Sequence, residues 1–239
     1  MIYLIGGVPG MRKSTIISPC FLAQRPVGSI STDYIRAYMK HLFLQVGGDP
    51  QKIEMSELPE LRPHDDTIAW IGTTGLIKLL NHQQKDALIE GIAIPPTGVR
   101  DLERGDPNLK VRAAFMGYSK PVEFQPPEWT SELETLIEAA IGKANLNSHL
   151  KKYKGCDNYK EYDWIYKDEH GKPSPYNDSG EAGRIRDAVE AIRVSGSENF
   201  KYFNLIDYIP RERRGEDPAI LRLEDHINVA IDIRSFLLK

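Results

Sequence analysis

The chain has 239 residues, 41% of them hydrophobic and 27% charged, with a net charge of −3 and two cysteines, Cys20 and Cys156. This balance makes bulk nucleic-acid or anionic-membrane binding an unfavourable expectation, and two cysteines supply neither a disulfide framework nor a zinc-ligand spacing. No apolar run approaches the roughly 20 residues of a membrane span, and the short opening apolar segment does not suit a secretory signal, so a reduced cytoplasm is the expected compartment.

Five apolar, β-rich runs recur along the chain: Ile2–Ile5, Val27–Ser31, Ala87–Ile94, Val111–Tyr118 and Lys201–Ile206. Longer polar or helical stretches separate them, which predicts an α/β fold with a five-stranded parallel sheet and helices on both faces. The first helix is expected from Ser14 to about Phe21. Tyr34–Val46 has apolar residues at helical spacing after Asp33, which reads as its N-cap. Thr67–Leu80 reads as a helix weakened in its middle by Gly72 and Gly75. Leu133–Leu146, Ile185–Val194 and an amphipathic Ile220–Leu238 complete the expected helices.

Two segments differ from the rest. Gly47–His64 is a loop rich in Pro, Gly and Glu. Lys151–Asp178 interleaves Tyr153, Tyr159, Tyr162, Trp164, Tyr166 and Tyr176 with six lysines, a pattern that can stack nucleobases. The same stretch carries Asp157, Glu161, Asp163, Asp168 and Glu169, which favours a solvated lid or insertion with its aromatics packed on the body. The chain is expected to form one domain over 1–239, with 151–186 as the lid or insertion. It contains no internal repeat and no low-complexity tract.

The chemistry is concentrated near the start. After the Ile2–Ile5 strand the chain breaks into Gly6-Gly7-Val8-Pro9-Gly10-Met11-Arg12-Lys13-Ser14-Thr15. A strand, a glycine-rich turn, Lys-Ser and then a helix is the order that holds a triphosphate. Backbone N–H groups wrap the phosphates, the lysine reaches the β/γ oxygens, and the serine hydroxyl ligates Mg²⁺. Gly7, Lys13 and Ser14 meet the pattern G-x-x-x-x-G-K-[ST]. Arg12 stands where its second glycine belongs, and must either point outward or lay its guanidinium over the phosphates. The competing reading, a glycine turn that merely opens a helix, is disfavoured by the position directly after the first strand. A dinucleotide fingerprint lacks its G-x-G-x-x-G spacing here.

Ligands of open α/β sheets sit beyond the carboxyl ends of the strands. Ser31-Thr32-Asp33-Tyr34-Ile35-Arg36 follows the second strand. A carboxylate there can orient or deprotonate an attacking hydroxyl, and Arg36, one helical turn on, can clamp an anionic acceptor. The local alternative is an N-cap aspartate with an i,i+3 ion pair. Glu90 ends the third apolar run and suits either a water-mediated Mg²⁺ shell, a substrate hydroxyl or no catalytic duty at all. Arg100, expected in the Pro95–Arg100 loop, faces either the acceptor or solvent.

The combination of Gly7–Thr15, D-x-x-R at Asp33–Arg36 and I-E-G at Ile89–Gly91 resembles the P-loop kinases related to zeta toxins, 2-phosphoglycerate kinases and polynucleotide kinases. The resemblance implies a P-loop NTPase fold of the nucleoside-monophosphate-kinase type with a lid insertion. It implies Asp33 as the base, Arg36 at the acceptor, Lys13 and Ser14 at the nucleotide, and a lid arginine, Arg184 or Arg186, at the phosphates. The function implied is ATP- and Mg²⁺-dependent transfer of the γ-phosphoryl group to a hydroxyl of a small anionic or nucleotide-like acceptor. The alternative is a nucleotide-binding pseudokinase or regulatory module, blunted by Arg12.

Overall fold

A computed structural model describes residues 1–8, 10–45, 65–120, 122–125, 128–143, 179–216 and 219–239. Pro9, the Gly47–His64 loop and the Lys151–Asp178 segment lie outside the described residues.

Five strands form one parallel sheet: β1 (Ile2–Gly7), β2 (Gly28–Ser31), β3 (Ala87–Gly91), β4 (Val111–Gly117) and β6 (Phe200–Asn204), in the order β2-β3-β1-β4-β6. β1 pairs with β3 from Ile2↔Ala87 to Gly6↔Gly91, and β2 pairs with β3 from Gly28↔Ala87 to Ser31↔Glu90. The burial pattern follows the order. Ile2, Leu4, Ile5, Leu88, Ile89 and Ala113–Met116 are buried in the three inner strands, where both faces are covered. The outer strands β2 and β6 are partly exposed. The expected α/β parallel sheet is what the chain forms.

By internal packing the chain divides into two units, Met1–Gly6 with Val27–Ala113, and Gly7–Pro26 with Ala114–Lys239. In the first, α2 (Thr32–Gln45) packs on α3 (Asp65–His82). Gly72, which reads as a weak point of a helix, lies against α2. A Cβ added there would lie 2.7 Å from Ile35 Cγ2 and 2.8 Å from Met39 Cγ. β3 stops at Gly91, short of the expected Ile94. Pro95-Pro96, expected in a loop, opens the helix α4 (Pro96–Gly105), because proline lacks only an N–H that a first-turn residue does not need.

In the second unit the phosphate-loop motif leads into a π-helical turn, Lys13–Ile17, and then α1 (Ser18–Leu22). A three-residue strand β5 (Val122–Phe124) precedes α5 (Ser131–Ile141). Thr130 caps α5 by accepting from the Leu133 amide at 3.2 Å, which stabilises it by about 1 kcal/mol. Gly142, at φ 80°, ends α5 earlier than the expected Leu146. α6 (Ser179–Val194) precedes β6, and the Phe115 and Phe200 rings stack across β4 and β6 with centroids 6.4 Å apart.

The expected strand Lys201–Ile206 ends at Asn204. The Asn204 side chain accepts from the Ile206 amide and starts a 3₁₀ turn, Leu205–Tyr208. After α7 (Arg211–Arg214), β7 (Ala219–Leu221) pairs in parallel with β5, and α8 (Leu223–Leu237) closes the chain. The expected helix Ile220–Leu238 is therefore a strand end followed by a helix. α8 packs on the π-turn, α1 and α5 with Ile227, Val229, Ala230 and Ile233 buried. Arg213 clamps the buried Asp225 carboxylate with two bonds of 2.8 and 2.9 Å, and Asp225 also accepts the Arg222 amide at 2.8 Å.

Candidate functional site

The phosphate-loop motif leaves the carboxyl end of β1, which has neighbours on both sides in the sheet. Gly7 sits at φ 137°, and a Cβ there would collide with the carbonyl oxygen of Met116. The next residue, Val8, donates its amide to the same oxygen at 3.3 Å. Only glycine permits this turn, because both the dihedral and the contact exclude a side chain.

Gly10 at φ 76° and Arg12 at φ 55°, ψ 29° place two left-handed residues in the loop, the kind of backbone from which anion-binding nests are built. Val8 and Met11 are buried beneath it. Arg12 takes the conformation that the motif reserves for glycine, and carries the steric penalty of a Cβ there. Its carbonyl accepts the amides of both Ile16 and Ile17, at 2.9 and 3.2 Å, so the helix opens with a widened π turn. Such turns are rare in regular helices and recur at functional positions.

Lys13 is 7% exposed, and its Nζ donates to Gly7 O at 3.0 Å and Val8 O at 2.8 Å. The loop thus wraps its own lysine and fixes the ammonium within the turn. Ser14 is exposed. Thr15 Oγ1 is buried and has no hydrogen-bond partner among the described residues, so a hydroxyl beside the turn is left for a ligand to satisfy. Ammonium, exposed hydroxyl and left-handed turn together fit a polyphosphate with Mg²⁺.

Arg12 has a neighbour that sequence reading did not find. His226 of α8 is fully buried, and its Nδ1 is 3.3 Å from the Arg222 carbonyl oxygen. Burial pushes its pKa down to about 3, with the Arg12 guanidinium adding to the shift, so the ring stays neutral near pH 7. A histidine among the apolar residues of a terminal helix carries no signal of this. Only the fold brings Arg12 to it.

The first unit holds the candidate acceptor residues. Asp33 is exposed, and its carboxylate lies 3.3 Å from Arg36 Nη1. The expected capping role does not fall on Asp33. Ser31 Oγ accepts the Asp33 amide at 3.3 Å, because α2 begins at Thr32 and puts Asp33 inside the first turn. Glu90 is buried at the end of β3, in register with Ile5 and Ser31 on the flanking strands. Arg100 lies on α4 and not on a loop, with Nε 3.7 Å from Asp101.

Arg184 and Arg186 both lie on α6 and are exposed. Arg186 is paired with Asp187 at 2.9 Å. Among the described residues no cluster of His, Cys, Asp and Glu could hold a metal ion by itself, and no helix is long and apolar enough to cross a membrane.

The loop leaves β1, an inner strand of the five-stranded sheet. No family model matches the chain, and no curated protein matches it. Solved structures that are similar include a sugar kinase from Janibacter sp. HTCC2649, 12% identical, covering 99% of this chain and 93% of that one at a TM-score of 0.41. A gluconokinase from Sinorhizobium meliloti 1021 is 14% identical, with coverage of 82% and 97% and a TM-score of 0.32. A structure of the PezAT chromosomal toxin–antitoxin system of Streptococcus pneumoniae is 14% identical, with coverage of 100% and 87% and a TM-score of 0.40. At these scores the functional reading rests on the loop's own residues.

Proposed function

We propose that this protein is an ATP- and Mg²⁺-dependent kinase that phosphorylates a hydroxyl of a small anionic or nucleotide-like acceptor. The observation that carries this reading is Lys13, an ammonium buried inside a left-handed glycine turn at the end of β1. Burying an ammonium costs several kcal/mol unless hydrogen bonds and an opposite charge offset it. The two loop carbonyls hold the ammonium within the turn, where a bound triphosphate would meet it.

Gly7, Val8, Pro9, Gly10, Met11, Arg12 and Thr15 line the nucleotide's phosphates with backbone, while Lys13 reaches the β/γ oxygens. The Ser14 hydroxyl would hold Mg²⁺, with Glu90 a second partner through water. Such an ion would supply positive charge to offset that of the phosphates. Asp33 orients the acceptor hydroxyl and takes its proton as the oxygen attacks the γ-phosphorus in line. The new P–O bond forms as the bond to the β–γ bridging oxygen breaks, and ADP leaves with that electron pair. Arg36 and Arg100 face the acceptor's anionic groups, and an arginine of α6 offsets charge on the transferring oxygens. The chain would act as one kinase domain in the cytoplasm.

A second reading, nucleotide binding with weakened turnover, draws on Arg12, which holds a left-handed backbone where the motif has glycine. One experiment separates the readings. Isothermal titration with MgATP should show binding that falls at least ~100-fold in Lys13→Ala, with the circular dichroism spectrum unchanged. ATP consumption across a panel of small hydroxyl acceptors then supports the kinase. Binding without consumption supports the second reading, and no binding by the parent chain overturns both.

A further inference from the structure

Within the second unit a short series of close contacts connects the phosphate loop to the helix that carries Arg184 and Arg186. Met116, near the end of β4, has its carbonyl oxygen against Gly7 and accepts the Val8 amide. The next residue, Gly117, faces the other way along this series. A Cβ added at Gly117 would lie 2.5 Å from Ala182 Cβ, 2.7 Å from the Tyr202 hydroxyl oxygen and 3.1 Å from Ala182 Cα. The missing side chain makes a notch, and Ala182 of α6 (Ser179–Val194) fills it. Two adjacent residues of one strand therefore support the loop and seat the helix.

The position of Ala182 distinguishes the two arginines. Arg186 is four residues on and shares the face that meets the sheet, whereas Arg184 lies about 200° away on the opposite face. Arg186 leans back toward the helix start, as long side chains on helices do, so that its Nη2 would be 3.9 Å from a Cβ added at Gly183. Its charge reaches the Tyr202 phenol that lines the notch, where burial raises the phenol pKa to about 12 and Arg186 opposes that rise. Among the described residues Arg186 pairs with its neighbour Asp187, with 53% and 71% of the two side chains exposed. Pairs of that kind contribute at most about 1 kcal/mol, so a phosphate can displace Asp187 readily.

Resting on the phosphotransfer reading above, we propose that Gly117 is a positioning residue, which seats Ala182 so that Arg186, and not Arg184, meets the transferring phosphoryl group. Widening the notch contact would move α6 outward and carry Arg186 away from the oxygens it stabilises. The nucleotide would still be held by the loop, which Gly117 does not form.

The test needs no acceptor. Affinities of the full chain for MgADP and for MgADP with aluminium fluoride, a mimic of the transferring phosphoryl group, are measured by isothermal titration. The parent chain should bind the mimic at least about tenfold more tightly than MgADP. Arg186→Ala and Gly117→Ala should each remove most of that advantage and leave the MgADP affinity within about threefold. Gly117→Ala should remove nothing further in the Arg186→Ala background, which a purely structural notch would not produce. Adding Ala182→Gly to Gly117→Ala removes the 2.5 Å contact and should return part of the advantage.

Additive losses in the double variant would overturn the proposal, as would loss of the advantage in Arg184→Ala in place of Arg186→Ala. Should Gly117→Ala fail to fold, the exposed Arg186 still decides, because a full advantage in Arg186→Ala overturns the proposal. A parent chain that binds MgADP but binds the mimic no more tightly overturns this inference alone. One that binds neither overturns the phosphotransfer reading as well.

Discussion

Ser31 Oγ accepts the backbone amide of Asp33 at 3.3 Å, and this bond relieves the Asp33 carboxylate of capping α2. What remains for the carboxylate within the fold is an exposed pair with Arg36 at 3.3 Å and a place in the first helical turn. Each contributes a fraction of a kcal/mol. Asp33→Asn should therefore cost less than about 1 kcal/mol of stability and leave MgATP affinity unchanged, while transfer to the acceptor is lost. Chemical denaturation and single-turnover transfer measure the two quantities. Transfer surviving within about threefold would remove Asp33 from the role of base.

Arg12→Gly tests the backbone and the charge together. A reading from sequence alone expects glycine to cost about 1 kcal/mol through the freer unfolded chain. The left-handed backbone at φ 55° opposes that cost, because a side chain there is worth about 1–2 kcal/mol of strain. The net expectation is a stability change between zero and a gain of about 1 kcal/mol in urea unfolding. The Arg12 charge bears on His226 of α8, and the guanidinium is expected to point away from the phosphates. MgATP affinity should then move by less than tenfold, and a larger fall would put the guanidinium on the phosphates.

The turn after β1 was legible because glycines directly after an apolar run break a strand. The three inner strands were legible because strands covered on both faces are continuous apolar runs. Their order in the sheet has no local signal. Pro95-Pro96 reads as a loop because proline usually interrupts helices, yet at the first helical turn it loses nothing. Gly72 reads as a helix weakness because the sequence does not show α2 lying against it. β5 and β7 are three residues each, too short for alternation to register. Ser31 and Asp33 are both good capping residues, and only the start of α2 decides between them.

The Arg213–Asp225 clamp should be the costliest polar contact of the second unit to break. Asp225 is 2% exposed and accepts both guanidinium nitrogens and the Arg222 amide, so it joins α7 to the first turn of α8. Asp225→Ala leaves Arg213 facing a buried gap and an amide without its acceptor. Removing one member of such a pair costs about 3–5 kcal/mol, which at this chain length lowers the melting temperature by roughly 10 °C. Adding Arg213→Met to Asp225→Ala should cost less than the sum of the two single changes, because the stranded charge is gone. A calorimetric shift below about 3 °C for Asp225→Ala would show that the clamp contributes little.

His226 should make the stability of this protein depend on pH in a range where most carboxylates do not titrate. In the folded chain its pKa lies near 3, through burial first and the Arg12 charge second, against about 6.5 when unfolded. Below pH 6.5 the unfolded chain takes up a proton that the folded chain refuses, so acid favours unfolding. The contribution is fully present above pH 6.5 and is lost progressively as the pH falls toward 3. Between pH 7 and pH 5 the loss from this one ring is about 2 kcal/mol, at roughly 1.4 kcal/mol per pH unit once below the unfolded value. Unfolding free energies at pH 5, 6 and 7 for the parent chain and His226→Gln isolate it, since other titrating groups are common to both. The variant should lose about 2 kcal/mol less than the parent over that interval, and parallel profiles would show that His226 accepts its proton in the folded chain.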